Sequence, residues 1–269
     1  MAAASWLPAI ALLVPCLWSQ NPGTLAPSYS EESIVNAADH RAGHLAPNTL
    51  ATIYGSHLSW EQRAVGVADL RGGALPDRLA GVTVLVANIP APVLFVSPGQ
   101  VNFLIPPSLR PGQVTVRVQR DGTAGPAVRI PLAETAPAAF QLDATTVIAT
   151  HPDGSLIDGT HPAEPGGAAV LYVTGLGRTD PDQVPGALAL YPARIVAERS
   201  VRILFDGEPL ADDSVFYAGV TPGFAGLYQI NFWLPDALPE DPLLQVRVSE
   251  SASVGTVRFP TRPVSATSP

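Results

Sequence analysis

Two heptapeptides, QVNFLIP at residues 100–106 and QINFWLP at residues 229–235, share four residues and differ by three apolar exchanges. Each belongs to a longer series of landmarks. An alternating apolar run comes first (residues 46–58 and 164–177), followed by a V-x-[VI]-L strand, the heptapeptide and a strand containing V-R-V. The landmarks keep their order and recur after about 118–130 residues, so an internal duplication is indicated.

The duplicated unit predicts an all-β chain. The 29 prolines and 23 glycines suit short strands joined by turns rather than long helices. Strands of four to seven residues at such spacing are typical of β-sandwiches. We therefore expect two tandem immunoglobulin-like sandwiches, at residues 20–135 and 136–260, and a flexible tail at residues 261–269. Only residues 60–70 are expected to hold a turn or two of helix.

The heptapeptides are predicted to be strands with one buried and one outer face, because side chains alternate along a strand. The buried set is Val101, Phe103 and Ile105 in the first copy and Ile230, Phe232 and Leu234 in the second. The outer set includes Gln100 and Asn102, then Gln229, Asn231 and Trp233. We expect the amides to hydrogen-bond backbone groups of the loop before each strand. The alternative is that they line a ligand groove.

The first 19 residues are apolar and contain two prolines, which favours a secretory signal peptide over a retained membrane anchor. The only cysteine, Cys16, lies in this segment, so the exported chain is expected to contain no disulfide. Localisation outside the cytoplasm follows: periplasm, cell surface or extracellular space. No stable membrane insertion is expected after cleavage.

The charge pattern argues against a nucleic-acid partner. The formal net charge is −8, lysine is absent, and the 15 arginines are scattered singly. No nucleophile elbow or phosphate-binding glycine pattern is present, so no enzyme activity, catalytic residue or cofactor is predicted. His151 and His161 bracket Asp153 and Asp158, and a metal site there is left open, although the spacing is not that of an EF-hand.

Exposed aromatic rings beside amides would suit a sugar-binding surface, since rings supply stacking area and amides supply directional hydrogen bonds. Trp60, in a predicted loop, and Trp233 are the candidates, together with the four strand amides Gln100, Asn102, Gln229 and Asn231. The competing interpretation is that Trp233 packs between the two domains.

The segments APVLFVSPGQVNFLIP, DGSLIDGTHPAEPGGAAVLYVTGLG and YAGVTPGFAGLYQINFWLP resemble the Solibacter-type uncharacterised C-terminal domain of secreted acidobacterial proteins, over roughly residues 34–250. That family is similar to the IPT/TIG branch of the immunoglobulin-like folds. The resemblance implies a tandem sandwich, export and no known catalytic residues.

The sequence thus predicts a secreted, non-catalytic module with a structural, adhesive or protein-interaction role. The alternative is a carbohydrate-binding module that serves extracellular polysaccharide use. The partner, protein or polysaccharide, is not identified by the residues themselves.

Overall fold

A computed structural model of the protein describes residues 25–262. Residues 25–132 form one β-sandwich and residues 138–262 form a second. The strands of the first sandwich are β1 (Ile34–Asn36), β2 (Leu50–Tyr54), β3 (Arg63–Ala64), β4 (Val82–Val86), β5 (Ile89–Ala91), β6 (Val93–Val96), β7 (Gln100–Leu104), β8 (Gly112–Arg120), β9 (Thr123–Ala124) and β10 (Val128–Leu132).

The strands of the second sandwich are β11 (Ala138–Ala139), β12 (Ala149–Thr150), β13 (Ala168–Thr174), β14 (Thr179–Asp180), β15 (Arg194–Ile195), β16 (Val201–Phe205), β17 (Glu208–Pro209), β18 (Val215–Val220), β19 (Tyr228–Trp233), β20 (Leu243–Val248), β21 (Ser251–Ala252) and β22 (Val257–Arg258). Two single 3-10 turns, Val67–Asp69 and Glu198–Ser200, are the helical segments of the described chain. The first lies within the stretch where the sequence predicts a helical turn.

Each sandwich packs two antiparallel sheets face to face. In the first, the strand orders are β1-β2-β7-β6-β3 and β10-β8-β4-β5, with β9 beside β8. In the second, they are β11-β13-β19-β18-β15-β14, with β12 beside β13, and β17-β16-β20-β21, with β22 beside β20. The chain is therefore all-β with two tandem immunoglobulin-like sandwiches, as the sequence predicts.

The heptapeptide strands occupy the middle of their sheets, and their apolar faces form the cores. Val101, Phe103 and Ile105 are fully buried, and Ile230 and Phe232 are likewise fully buried in the second sandwich. Burying such side chains contributes about 1.5–3 kcal/mol each. The predicted inward and outward faces of both heptapeptides are thus confirmed.

The hairpins before the heptapeptides follow the sequence signal as well. Strand β4 turns into β5 through Ala87 and Asn88, and β16 turns into β17 through Asp206 and Gly207. All four residues have positive φ, between 50° and 87°. Two-residue loops of this kind match the right-handed twist of paired strands, which explains why Asn and Gly occur there.

The two sandwiches meet through backbone and side-chain hydrogen bonds. The Leu50 amide donates to Thr174 Oγ1 at 2.9 Å, and that hydroxyl donates to the Gly226 carbonyl at 3.0 Å. Leu104 packs on Gly226, where a Cβ would collide with its side chain. The Leu75 amide adds a bond to the Gly186 carbonyl, also at 2.9 Å.

The predicted signal peptide and most of the predicted C-terminal tail lie outside the described residues. Residues 1–24, which include the predicted signal peptide, and residues 263–269 lie outside the described residues. Thr261 is buried and donates to the Pro239 carbonyl at 2.6 Å, so ordered packing continues past residue 260. Within residues 25–262, no helix has the length and apolarity needed to cross a membrane.

Candidate functional site

The outer face of β19 carries three predicted site residues: Gln229, Asn231 and Trp233. The first two are half-buried, and Trp233 is 53% exposed. The Trp233 ring stacks on Phe216 with 5.1 Å between centroids and 37° between planes. The interpretation that Trp233 packs between the domains is therefore wrong; the ring stands on the open face of the second sandwich.

The two amides of this strand bond to each other. Gln229 Nε2 donates to Asn231 Oδ1 at 3.0 Å, and in the first sandwich Gln100 Nε2 donates to Asn102 Oδ1 at 2.8 Å. None of these four side chains hydrogen-bonds the preceding loop in the part of the chain that the structure describes. The prediction that they brace those loops is wrong. Side chains two apart on one face stand close enough to bond directly, and the loops close by backbone hydrogen bonds of their own.

Tyr172 and Tyr217 flank the amides of the second sandwich on either side. Tyr172 lies opposite Gln229 on β13, and Tyr217 lies opposite Asn231 on β18. The Tyr217 ring lies over Gly219, where a Cβ would stand 2.5 Å from the phenol oxygen. We call Tyr172, Gln229, Asn231 and Tyr217 the second strip.

Arg194 from β15 forms the far wall beside the second strip. Its guanidinium is 5.2 Å from the Tyr217 ring centroid and pairs with Glu198. Burial raises the pKa of the Tyr217 hydroxyl, and the charge of Arg194 partly offsets that rise. The hydroxyl stays protonated at neutral pH and donates to the Val220 carbonyl at 2.8 Å. Because Glu198 neutralises Arg194, this wall offers a polar edge with little net charge.

Gln229, Asn231, Tyr217 and Arg194 line an open groove of about 760 Å³, and Tyr172 is not part of its lining. Its lining includes the amide pair, Tyr217 and Phe216, and Trp233 stacks on Phe216. The remaining lining residues are Asp180, Pro192, Ile195, Val196 and Pro222. The groove therefore combines aromatic side chains with an uncharged amide pair, and two charged residues, Asp180 and Arg194, also line it.

Trp60, the other predicted aromatic, lies elsewhere. It is 60% exposed, and the Arg120 guanidinium carbon is 3.7 Å from its ring centroid. Arg120 is nearly fully buried and donates to the carbonyls of His57 and Leu25. The ring of Trp60 thus covers a buried cation in the first sandwich and is not joined to either amide pair.

In the turn from His151 to His161, here called the histidine turn, the two carboxylates accept hydrogen bonds from residues next to them in sequence. Asp158 Oδ1 accepts the backbone N–H groups of Thr160 and His161 at 2.7 and 2.8 Å, and Asp153 Oδ1 accepts that of Ser155 at 2.9 Å. His151 Nε2 lies 3.2 Å from the His161 carbonyl. Among residues 25–262, no group of three or more His, Cys, Asp or Glu is arranged to hold a metal ion.

Sequence reasoning missed Phe216, Tyr172 and Arg194 as neighbours of the amides. Phe216 is the extra residue of a β-bulge, since Val215 pairs with Phe232 and Tyr217 with Asn231. A bulge re-aims a side chain without a fixed sequence signature. The Tyr172 position was available from the repeat, because Tyr54 occupies the same place in the first run.

Residues 42–131, within the first sandwich, match the family model described as IPT/TIG domain. This finding supports the immunoglobulin-like part of the predicted resemblance; the Solibacter-type family stays a prediction. IPT/TIG domains are typically non-catalytic. No curated protein matches the chain in sequence.

Several solved structures are similar at low identity. The mixed-linkage glucan utilization locus protein SGBP-B of Bacteroides ovatus, in complex with a mixed-linkage heptasaccharide, is 12% identical with a TM-score of 0.31. The comparison covers 88% of this chain and 45% of that chain.

Two further structures are surface proteins. The Escherichia coli adhesin FdeC is 14% identical with a TM-score of 0.23, over 88% of this chain and 66% of that one. Domains 5–6 of the S-layer protein SbsC are 11% identical with a TM-score of 0.27, and the comparison covers 89% of this chain and 100% of that chain. This chain thus spans less than half of the first structure's length and 66% of the second's.

Proposed function

We propose that this protein is an exported, non-catalytic immunoglobulin-like module that binds a carbohydrate chain on the outer face of its second sandwich. The observation that carries the proposal is the exposure of Trp233 and of Phe216, on which it stacks, beside a groove lined by amides. A sugar ring has one apolar face and a rim of hydroxyls. Aromatic rings complement the face, and amide groups complement the rim.

The second strip has unused hydrogen-bond donors and acceptors that fit this ligand. Asn231 Oδ1 accepts one hydrogen bond, from Gln229, and an amide oxygen has two lone pairs. Within the described residues, Asn231 Nδ2 and Gln229 Oε1 have no protein partner. Both are half-buried and reach the groove, so they are free to donate to and accept from sugar hydroxyls.

The charge of the site favours a neutral polysaccharide over an acidic one. Arg194 is paired with Glu198, and Asp180 adds an exposed carboxylate to the lining. The whole chain carries a net charge of −8, which repels a polyanion over a distance of about a Debye length, roughly 10 Å.

A second candidate function, an adhesive or structural contact with another protein, has one observation in its favour. Leu104, which corresponds to Trp233 in the repeat, is buried where the second sandwich packs on the first. The same end of the fold therefore serves as a protein interface in one sandwich, and in the other it carries the exposed Trp233.

The test is affinity electrophoresis of the purified protein through gels that contain neutral glucan, mannan or xylan, beside gels with pectate as the acidic comparison. We expect retardation in at least one neutral gel, and binding about tenfold weaker for Trp233→Ala, since losing a stacked ring costs on the order of 1.4 kcal/mol. Tyr191→Ala is the matched control, because Tyr191 is an exposed aromatic outside the groove.

Two results would overturn the carbohydrate proposal. One is the absence of retardation in every neutral polysaccharide gel. The other is retardation that Trp233→Ala and Phe216→Ala leave unchanged. If both variants bind polysaccharide normally but lose binding to a purified envelope protein, the adhesive function is the correct one.

A further inference from the structure

We infer that the first sandwich carries a second, weaker site for the same neutral carbohydrate, on Tyr54, Phe95, Gln100 and Asn102, here called the first strip. This inference rests on the proposed function. It starts from cross-strand geometry: Tyr54 lies opposite Gln100 on β2, as Tyr172 lies opposite Gln229 on β13.

The other side of the first strip matches as well. Phe95 lies opposite Asn102, as Tyr217 lies opposite Asn231. Strands β6 and β18 both carry a bulge one residue earlier, at Leu94 and Phe216. Both strips thus consist of an amide pair between two aromatic rings, in one register and beside one type of bulge.

The edge strands carry similar ion pairs, but one residue apart in register: Arg63 lies opposite Val96, which matches Ala218, whereas Arg194 lies opposite Gly219. Arg63 on β3 pairs with Asp69 at the end of the first 3-10 turn, and Arg194 on β15 pairs with Glu198 at the start of the second. Both arginines stand beside the bulged strand, and a nearby carboxylate neutralises each. A folding role alone requires the buried faces of these strands to match. It does not require the same aromatic and amide groups on the outer faces.

The first strip is open to a ligand. Tyr54 is 38% exposed, and Gln100 and Asn102 are half-buried. Asn102 Nδ2 and Gln100 Oε1 have no hydrogen-bond partner among residues 25–262. The Tyr54 hydroxyl lies 3.2 Å from His40 Nδ1, and the two rings are tilted by 43° with 6.0 Å between their centroids.

Two differences make the first strip the weaker site. Asn102 Oδ1 accepts from both Gln100 and Thr52, so both of its lone pairs are used. In the second sandwich Val170 stands opposite Asn231, and that oxygen keeps a free lone pair. The stacked aromatic pair is also missing, because Leu104 stands where the second sandwich has Trp233 and is buried against Gly226.

The test uses the full chain and a short oligosaccharide cut from whichever neutral polysaccharide retards it most. Calorimetric titration should fit two sites of unequal affinity. Tyr54→Ala and, independently, Gln100→Ala should remove the weak site and leave the strong one unchanged, while Trp233→Ala should weaken the strong site. Gln113→Ala, on an exposed position of the same sandwich, is the matched control.

The polymer gives a second readout. Two sites on one chain raise the apparent affinity for a long polysaccharide through effective concentration. Tyr54→Ala should therefore weaken retardation by the polymer by about tenfold while the strong-site oligosaccharide affinity stays constant. Thermal unfolding of each variant checks that it is folded, and Tyr54→Phe, which keeps the ring, should retain both sites.

The outcomes separate this inference from the proposed function. A single site that Tyr54→Ala and Gln100→Ala leave intact, with polymer binding unchanged, overturns the second site and leaves the groove of the second sandwich standing. No binding of any neutral carbohydrate overturns both.

Discussion

Asn48 Nδ2 donates a hydrogen bond to the Tyr228 hydroxyl oxygen at 2.7 Å, and both groups are buried between the two sandwiches. The hydroxyl in turn donates to the Gly177 carbonyl. Asn48 has a φ of 62°, and Gly166, at the equivalent position of the second sandwich, has a φ of 68°. The left-handed turn is thus common to both sandwiches, and the first sandwich uses an asparagine whose side chain reaches the neighbouring domain.

Tyr228→Phe should destabilise the protein. The change leaves the Asn48 amide and the Gly177 carbonyl without this partner in a buried interface, which costs about 1–3 kcal/mol. Urea denaturation of the variant should show a lower midpoint with an unchanged slope. Tyr191→Phe, on an exposed tyrosine, should keep the original midpoint. Equal midpoints for both variants would show that the hydroxyl contributes nothing to stability.

Trp60→Ala should also lower stability and should leave carbohydrate binding intact. The ring covers the buried Arg120 guanidinium, and a cation–π contact is worth about 0.5–1 kcal/mol at an exposed site and about 2 kcal/mol or more when it is desolvated. Trp233→Ala, which removes a ring of similar exposure, should cost less because no buried charge lies beneath it. Thermal unfolding of the two variants and the electrophoresis described above measure both effects. If Trp60→Ala loses polysaccharide binding, Trp60 belongs to the binding site after all.

Most of the fold can be predicted from the alternation of side chains along each strand and from the repeated order of sequence landmarks. Alternation placed Val101, Phe103 and their counterparts in the cores, and the turn residues Asn88 and Gly207 marked both hairpins. These features are local or recur in the same order in both halves of the chain, so one sequence shows them without a homologue. The packing of the two sandwiches on each other depends on side chains far apart in sequence, such as Leu104 and Gly226, and no sequence period encodes it.

Alternation along the strands also predicted part of the candidate site. The four amides share outer faces, as alternation requires, but their hydrogen-bond partners were wrong because side-chain bonds depend on rotamers rather than on period. The exposure of Trp233 depends on whether a neighbouring domain covers that end of the strand. Leu104 shows that in the first copy one does.

Acid should weaken the histidine turn. Hydrogen bonds from Thr160 and His161 hold the pKa of Asp158 below its ordinary value of 3.8. A depressed folded-state pKa means that the stabilisation is present above the unfolded pKa and is lost as the pH falls through the lower folded value. Unfolding monitored between pH 5 and about pH 2 should show this loss, because the carboxylate must then be protonated. Asp158→Asn keeps the acceptor oxygen without a titrating group, so it should reduce the dependence of the unfolding free energy on pH. An unchanged pH dependence would contradict the assignment of this loss to Asp158.

The last prediction separates the two asparagines of the repeat. Asn102→Ala removes the acceptor of the Thr52 hydroxyl, and Thr52 is buried at 1% exposure, so a donor is left unpaired at a cost of about 1–3 kcal/mol. Asn231→Ala removes only the partner of Gln229, which is half-buried and can bond to water, so the expected cost is about 0.5–1 kcal/mol. The sequence alone predicts equal costs for the two variants, since it treats the copies as equivalent.

Urea denaturation of Asn102→Ala, Asn231→Ala and the double variant Thr52→Val with Asn102→Ala decides this point. The double variant should recover part of the loss, because the stranded hydroxyl is gone. In the oligosaccharide titration, Asn231→Ala should weaken the strong site although it unfolds nearly as the original protein does. Equal destabilisation by both single variants, with no recovery in the double variant, would show that Thr52 is not the partner that makes Asn102 important for stability.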